Sequence, residues 1–199
     1  MVAVFALSPL AGLAQTDLAA LDVFAGNVAE RHGLDAAVLR RILRQAKVQP
    51  GILRAMAQPA TARPWYQYRP AVVDARRISA GVRFWQEHAG TLERAAAAYG
   101  VPPELIVATL GVETFYGRNT GGYRVLDALV TLAFHYPPRA ELFRAELEAF
   151  LLLVSEQGLD PLVVKGSFAG AMGISQFLPS SYRQYAVDFS GDGRRDLWQ

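Results

Sequence analysis

The chain has 199 residues, of which 52% are hydrophobic, enough to build a sizeable core and too much for a disordered coil. A formal net charge of +2 and a pI near 9.0, with no Lys/Arg run, suit contact with an anionic polymer but are too weak to indicate a nucleic-acid partner. Cysteine is absent, which removes disulfides, thiol nucleophiles and thiolate metal sites, and His32, His88 and His135 are too scattered for a zinc motif.

Residues 1–15 are apolar and uncharged and end in Gly12-Leu-Ala-Gln15, the pattern of a signal-peptide h-region before a small-residue cleavage site, although no basic residue precedes it. The stretch is too short to span a membrane, and no other segment offers a transmembrane run. Thr16 or Asp17 can cap a helix carrying Leu18, Leu21, Phe24 and Val28, and Asp35 can cap a second carrying Val38, Leu39, Ile42 and Leu43. Between residues 50 and 70, Pro59, Pro64 and Pro70 interrupt a stretch rich in Trp65, Tyr66 and Tyr68, which predicts an irregular segment. Residues 78–99 read as a long helix closed by Gly100.

Pro102 and Pro103 suit the first turn of the next helix, Glu104 favours its positive end, and Gly117 offers a stop. A glycine-rich turn at 119–123 leads into a helical pattern on Leu126, Leu129, Val130 and Leu132, which Pro137 and Pro138 end. An amphipathic helix is expected over 139–156, with Leu142, Phe143, Leu147, Phe150 and Leu151 inward. No strand is strongly signalled and no repeat is present.

Three stretches carry chemistry. Glu113 is a lone carboxylate in the helix that starts at Pro102 or Pro103. Leu105, Ile106, Ala108, Thr109, Leu110 and Val112 leave that helix no polar stripe, so it is expected to be wrapped by protein on most sides. A carboxylic acid desolvated there would hold its proton more tightly than in water, as a general acid near neutral pH requires. Spacing alone favours a structural carboxylate paired with Arg118 or a helix end. In the second stretch Gly166, Ala169, Gly170, Ala171 and Gly173 surround Ser167 and Gln176, a pattern that by itself favours tight packing of backbones. The third, residues 188–199, has the first half of a calcium loop: oxygen donors at Asp188, Ser190 and Asp192, the sharp-turn Gly193, and the Arg194 carbonyl. Its twelfth position is Gln199, a neutral amide where such loops want a bidentate acid, so a plain surface turn fits about as well.

Tyr99-Gly-Val-Pro-Pro-Glu104, Gly111-Val-Glu-Thr114, Asp127-Ala-Leu-Val-Thr-Leu132, Gly166-Ser-Phe-Ala-Gly-Ala-Met-Gly173, Gln176-Phe-Leu-Pro-Ser-Ser-Tyr182 and Ala186-Val-Asp-Phe-Ser-Gly-Asp-Gly193 follow in the order and spacing of one family. They resemble the membrane-bound lytic murein transglycosylase B family. Phe84-Trp85 and Trp65-Tyr-Gln-Tyr68 also resemble family positions.

The resemblance implies a mainly α, lysozyme-like (α+β) fold, a helical bundle around a glycan-binding cleft with little sheet. It implies one catalytic domain over residues 16–199, with the C-terminal part of the family's cleft missing. The implied reaction is non-hydrolytic cleavage of the β-1,4 bond between N-acetylmuramic acid and N-acetylglucosamine in peptidoglycan glycan strands, giving a 1,6-anhydromuramoyl end. Glu113 would be the single acid and then base, Ser167 would sit beside it, and Tyr68 and Gln176 would contact substrate. No metal or organic cofactor enters that chemistry, and calcium at Asp188, Ser190, Asp192 and Arg194 would be structural. Family members often carry a lipid-anchored cysteine. This chain has none, so a soluble periplasmic protein is expected. Leu142 departs from a tyrosine found in relatives. Two other readings stay open: a hydrolase with Asp127 or Glu141 as second acid, and a non-catalytic peptidoglycan-binding fragment.

Overall fold

The computed structural model describes residues 18–57 and 64–198, so the expectations on residues 1–15, Thr16, Asp17 and Gln199 lie outside the described residues. In chain order the helices are α1 (Leu18–His32), α2 (Ala36–Leu43), α3 (Pro50–Ala57), α4 (Trp65–Val72), α5 (Ala75–Tyr99), α6 (Pro103–Thr114), α7 (Val125–His135), α8 (Ala140–Gln157) and α9 (Pro179–Tyr185). Strands β1 (Tyr123–Arg124) and β2 (Lys165–Gly166) form one antiparallel pair, with Tyr123 opposite Gly166 and Arg124 opposite Lys165. The mainly helical architecture with little sheet agrees with expectation.

Local signals account for several boundaries. The Asp35 carboxylate accepts from the amides of Ala37 (2.7 Å) and Val38 (3.3 Å) at the start of α2, and Asp74 accepts from Arg76 (2.8 Å) and Arg77 (2.9 Å) at the start of α5. Gly100 closes α5 in the left-handed region at φ 68°. His88 interrupts α5 with non-helical angles, its ring 4.4 Å from that of Phe84.

The expectation of an irregular segment between 50 and 70 is corrected by α3 and α4 on either side of residues 58–63, which with Pro59 lie outside the described residues. Pro50 is the first residue of α3 and Pro64 stands just ahead of α4, positions where a missing N–H costs little. Pro70 lies near the end of the short α4, so the prolines punctuate helix starts more than they break interiors.

α7 is the core helix. Val125, Leu126, Leu129, Val130 and Leu132 are fully enclosed, and α8 contributes Leu147, Phe150, Leu151 and Leu153 against it. Enclosing each such side chain is worth roughly 1.5–3 kcal/mol. α1 and α2 pack as a pair, α3 lies on α7, α9 on α8, and α5 and α6 meet across a bend of 113°.

Two buried acids on these helices organise their neighbours. Asp127, 3% exposed, accepts from Lys47 N (2.9 Å), Gln49 Nε2 (3.2 Å), and Arg124 Nε (3.0 Å) and Nη2 (2.6 Å), so α7 holds the chain that enters α3. Both Asp127 oxygens are thus spent on structure. Glu146 on α8 accepts from Ser180 N (3.0 Å) and Ser180 Oγ (2.6 Å), capping the start of α9, which has no side-chain cap of its own. Among the described residues no single helix is long and apolar enough to cross a membrane.

Candidate active site

Glu113 stands in the last turn of α6, and its setting differs from expectation. Val107, Gly111 and Thr114, spaced four and three apart, are buried, and α6 packs on α5. The opposite face is open: Leu105 is 57% and Val112 47% exposed, and Ala108, Thr109 and Glu113 are exposed as well. The all-apolar composition therefore corresponds to a helix packed on one side only. The desolvation expected around the carboxylate is not supplied by the described residues. Nor is the expected pairing with Arg118: Glu113 has no hydrogen bond or ion pair among the described residues, and the Arg118 guanidinium lies over the Phe115 ring at 5.1 Å.

α6 ends at Thr114, ahead of the expected stop at Gly117, because Phe115 (φ 53°), Tyr116 (φ 60°) and Gly117 (φ 80°) all adopt left-handed angles. For Phe and Tyr this conformation costs roughly 1–2 kcal/mol each, so their surroundings must hold them. Tyr116 explains how. Its hydroxyl donates to the Arg77 carbonyl at 3.1 Å and its ring stacks on Phe84 at 5.4 Å. The tip sits in a notch where α5 and α6 are both glycine: a Cβ on Gly111 would be 2.6 Å from the Tyr116 oxygen, and one on Gly81 would also collide with it. Burial raises the Tyr116 pKa, keeping the hydroxyl a donor.

The chain after Glu113 is fastened to the loop that carries Ser167 and Gln176. Thr114 Oγ1 donates to the Ile174 carbonyl (2.9 Å) and accepts from Gly117 N (2.9 Å). Gln176, at φ 53°, donates through Nε2 to the carbonyls of Thr120 (3.1 Å) and Gly173 (3.0 Å). The loop is itself a chain of close backbone contacts, with bridges Gly166 to Met172 and Met172 to Phe177. Ser167 Oγ accepts from Ala169 N (3.2 Å) and Ala171 N (3.1 Å), which leaves its hydroxyl proton available to donate. The segment is also tightly packed: Gly166 runs so close to Ala171 that any side chain there would strike its carbonyl.

Glu113, Ser167 and Gln176 are in this way borne on two directly bonded segments. Tyr68 is not joined to them by a hydrogen bond, ion pair or ring contact among the described residues. It is half-buried on α4, its ring 6.1 Å from Trp65, and α4 connects to α5 through Arg77 Nη1 donating to the Ala71 carbonyl at 2.7 Å. Trp65 and Tyr66 are exposed. Leu142, on α8, is also exposed. Among the described residues, pockets of about 280, 260, 610 and 410 Å³ are lined by residues other than Glu113, Ser167, Gln176 and Tyr68.

The acidic loop turns inward on itself. Asp188 Oδ1 accepts from Gly191 N (2.7 Å) and Ser190 Oγ (3.2 Å), and Oδ2 from Gly193 N (2.8 Å). These hydrogen bonds, that of Gly193 foremost, hold the Asp188 carboxyl below its ordinary pKa. Asp192 Oδ1 accepts from Arg194 N at 2.9 Å. Among the described residues no three His, Cys, Asp or Glu side chains converge as a metal site. Phe189 docks the loop on α5, with the Arg94 guanidinium 5.3 Å and the Tyr99 ring 6.4 Å away.

Sequence reasoning passed over Thr114, Phe115, Tyr116 and Arg77. The one signal available was a pair of glycines, Gly81 and Gly111, inside otherwise good helices, where glycine is costly unless another group needs the space.

The model of the transglycosylase SLT domain matches residues 17–199. The chain is 49% identical over 185 residues to the membrane-bound lytic murein transglycosylase B of Escherichia coli K12, covering 88% of this chain and 51% of that protein. It is similar to the crystal structure of the soluble lytic transglycosylase SltB1 from Pseudomonas aeruginosa, with TM-score 0.86 and 50% identity over 90% of this chain and 61% of that one. The Escherichia coli lytic transglycosylase Slt35 in complex with calcium matches with TM-score 0.85 and 48% identity over 94% of this chain and 60% of that one. SltB3 from Pseudomonas aeruginosa, in complex with NAG-NAM-pentapeptide, matches with TM-score 0.82 and 33% identity over 92% of this chain and 49% of that one. The chain spans about half the length of the curated relative it matches.

Proposed function

The chain belongs to the transglycosylase SLT domain family, and on that premise we propose that it is a peptidoglycan lytic transglycosylase working through Glu113, with residues 16–199 as one catalytic domain. Its mainly helical fold is of the lysozyme-like kind found in its structural neighbours. The observation that carries the reading is the bonded pair of segments that brings Glu113 into one assembly with Ser167 and Gln176, through Thr114 to Ile174 and Gln176 to Thr120.

Glu113 in its acid form gives its proton to the glycosidic oxygen as the bond from C1 of the muramoyl sugar to that oxygen breaks. The sugar's N-acetyl group bears the developing positive charge. The C6 hydroxyl of the same sugar then bonds to C1 and returns its proton to the Glu113 carboxylate, which is thereby restored. The product carries a 1,6-anhydro ring. Because the nucleophile is part of the substrate, no water has to be recruited, and holding the sugar in place does the work of concentration. An exposed acid on the open face of α6 is reachable by a polymer as long as a glycan strand. Ser167 has its hydroxyl proton to donate to Glu113 or to the sugar, and Gln176 has its side-chain oxygen left for substrate. Tyr68 offers an aromatic face for stacking on a sugar ring further along the strand.

A hydrolase would need a second working carboxylate. Asp127 is buried and fully engaged, and Glu141 is an exposed residue in the first turn of α8. The engagement of Asp127 favours the single-acid route. No metal or cofactor takes part in this reading, and the protein acts where its polymer lies, in the periplasm. Calcium, reported for the Slt35 relative, would be held by Asp188, Ser190, Asp192 and the Arg194 carbonyl and would stiffen the loop that Phe189 docks on α5.

The deciding experiment is digestion of purified peptidoglycan followed by mass spectrometry of the released muropeptides. Anhydro ends, lighter by one water than reducing ends, are expected. Reducing ends would mean a hydrolase, and binding without release would mean a carbohydrate-binding unit.

A further inference from the structure

Helix α4 carries two aromatic rings side by side. Trp65 is 64% exposed, the most open of the three tryptophans, since Trp85 is 36% and Trp198 39% exposed. Tyr68, one turn further on, is half-buried, and its ring centroid lies 6.1 Å from that of Trp65 with 36° between the planes. Residues three apart share one side of a helix. The two rings therefore form a shallow shelf on that side, unlike Phe24 and Phe134, which pack edge-on at 87°.

Each ring also keeps its polar tip unused. Neither the Trp65 indole N–H nor the Tyr68 hydroxyl makes a hydrogen bond among the described residues. Tyr66, between them, differs, because its hydroxyl accepts from Gln67 Nε2 at 3.1 Å. A flat apolar face beside a free donor matches a pyranose, which presents C–H groups on its faces and hydroxyl or acetamido oxygens at its rim. An indole left in water forgoes the free energy of burial, so a partner that covers it gains that free energy on binding. The shelf is held from the far end of α4, where Arg77 Nη1 donates to the Ala71 carbonyl at 2.7 Å, while the Arg77 carbonyl accepts from the Tyr116 hydroxyl at 3.1 Å. One arginine thus ties α4 to the turn that follows Glu113.

We propose that Trp65 and Tyr68 form a two-ring subsite for a glycan strand, Trp65 taking a second sugar beyond the one that stacks on Tyr68. The subsite rests on the reading of Tyr68 as a substrate contact. Its ligand is an N-acetylated pyranose of the strand itself, and it makes long strands better ligands than short ones, because only a strand that extends past Tyr68 reaches the indole.

The test is a titration with an N-acetylglucosamine hexasaccharide, made in the Glu113→Gln background so that binding is read without cleavage. Binding should move the tryptophan emission to shorter wavelength as sugar displaces water from the indole. Adding Trp65→Phe should remove most of that movement and keep most of the affinity, since a ring face remains. Trp65→Ala and Tyr68→Ala should each raise Kd about tenfold. On peptidoglycan, Trp65→Ala alone should raise KM with kcat nearly unchanged, the pattern of a contact equally strong in ground and transition states. An unchanged Kd in Trp65→Ala, or an emission change that survives in Trp65→Phe, would overturn the subsite and leave Tyr68 to stand on its own variant. Normal binding by Tyr68→Ala would remove Tyr68 as a substrate contact and the two-ring subsite with it. A Trp65→Ala variant that loses self-association and keeps its glycan affinity would assign the rings to a contact between copies of the chain, against the proposal. If the wild-type chain releases no anhydro product while the Trp65 effects hold, the catalytic reading fails and the subsite stands.

Discussion

The Thr114 hydroxyl donates to the Ile174 carbonyl at 2.9 Å, directly after Glu113 in the chain. Thr114 is 1% exposed, so the bond is sheltered from water and fixes the end of α6 against the loop that carries Ser167 and Gln176. The relative position of acid and loop depends on this tie more than on any contact of the acid itself.

Thr114→Val removes the donor and leaves the Ile174 carbonyl and the Gly117 amide without their partner, which should cost about 1–3 kcal/mol of stability. Peptidoglycan turnover should fall through kcat more than through KM, because the acid is displaced while the surface that binds glycan persists. Thr114→Ser, which keeps the hydroxyl, should restore most of the rate. Melting curves and steady-state kinetics check both, and wild-type kinetics in Thr114→Val would remove the positioning role.

Glu113→Gln should abolish release of anhydro muropeptides while the protein folds and binds glycan normally. Glu113 is exposed and unpaired among the described residues, so its replacement should change stability by less than about 0.5 kcal/mol. Retained cell-wall solubilisation by this variant would sink the assignment of the acid.

Ser167→Ala should slow turnover by a smaller factor, roughly ten- to a hundredfold, since it removes orientation and leaves the proton donor in place. It also deletes the acceptor for Ala169 N and Ala171 N, so amide exchange across residues 167–171 should quicken. A change in exchange with no change in rate would assign Ser167 to the loop alone.

Gly111→Ala brings a Cβ to 2.6 Å of the Tyr116 oxygen and should destabilise by about 1–3 kcal/mol. Tyr116→Phe loses the bond to the Arg77 carbonyl and should cost about 1 kcal/mol. The two changes meet at one oxygen, so the double variant should cost less than the sum. Strict additivity in chemical denaturation would mean that the notch does not hold the turn.

Calcium at millimolar concentration should give a binding heat and raise the melting temperature, and Asp188→Asn should cancel both. The Asp188 carboxyl is depressed below its ordinary value, chiefly by the Gly193 amide. Its contribution is present above the unfolded Asp pKa and fades as pH falls through the lower folded value. The calcium effect should therefore weaken on acidification through that range. No heat and no shift at neutral pH would leave the segment as a turn without an ion.

The parts of this molecule legible in its sequence are those set by neighbours along the chain. Asp35 and Gly100 mark helix ends because a cap bonds within a few residues. Pro64 obeys the same local chemistry, yet it reads as a breaker because a proline at a helix start and one in a loop look alike without tertiary context. The open face of α6 was hidden for a different reason. Apolar residues all round a helix say nothing about which neighbour is absent, so burial of Glu113 was inferred from composition that the packing on α5 did not bear out. Glu146 and Thr114 find their partners 34 and 60 residues away, beyond any spacing rule.

The cap that Glu146 lends to α9 also has a bearing on how the chain assembles. The first turn of α9 cannot satisfy its amides until α8 has formed and presented that carboxylate. The stretch with Ser167 and Gln176 lies between these two helices, so its downstream anchor exists only after the α7 and α8 core has condensed. Folding should therefore proceed from the core to the loop with Ser167 and Gln176, with amides of Leu147 and Leu151 protected in pulse-labelling before that of Ser180, and simultaneous protection would exclude this order. The loop proposed to hold Ser167 and Gln176 against substrate would then be the last part of the chain to settle, once its scaffold is in place.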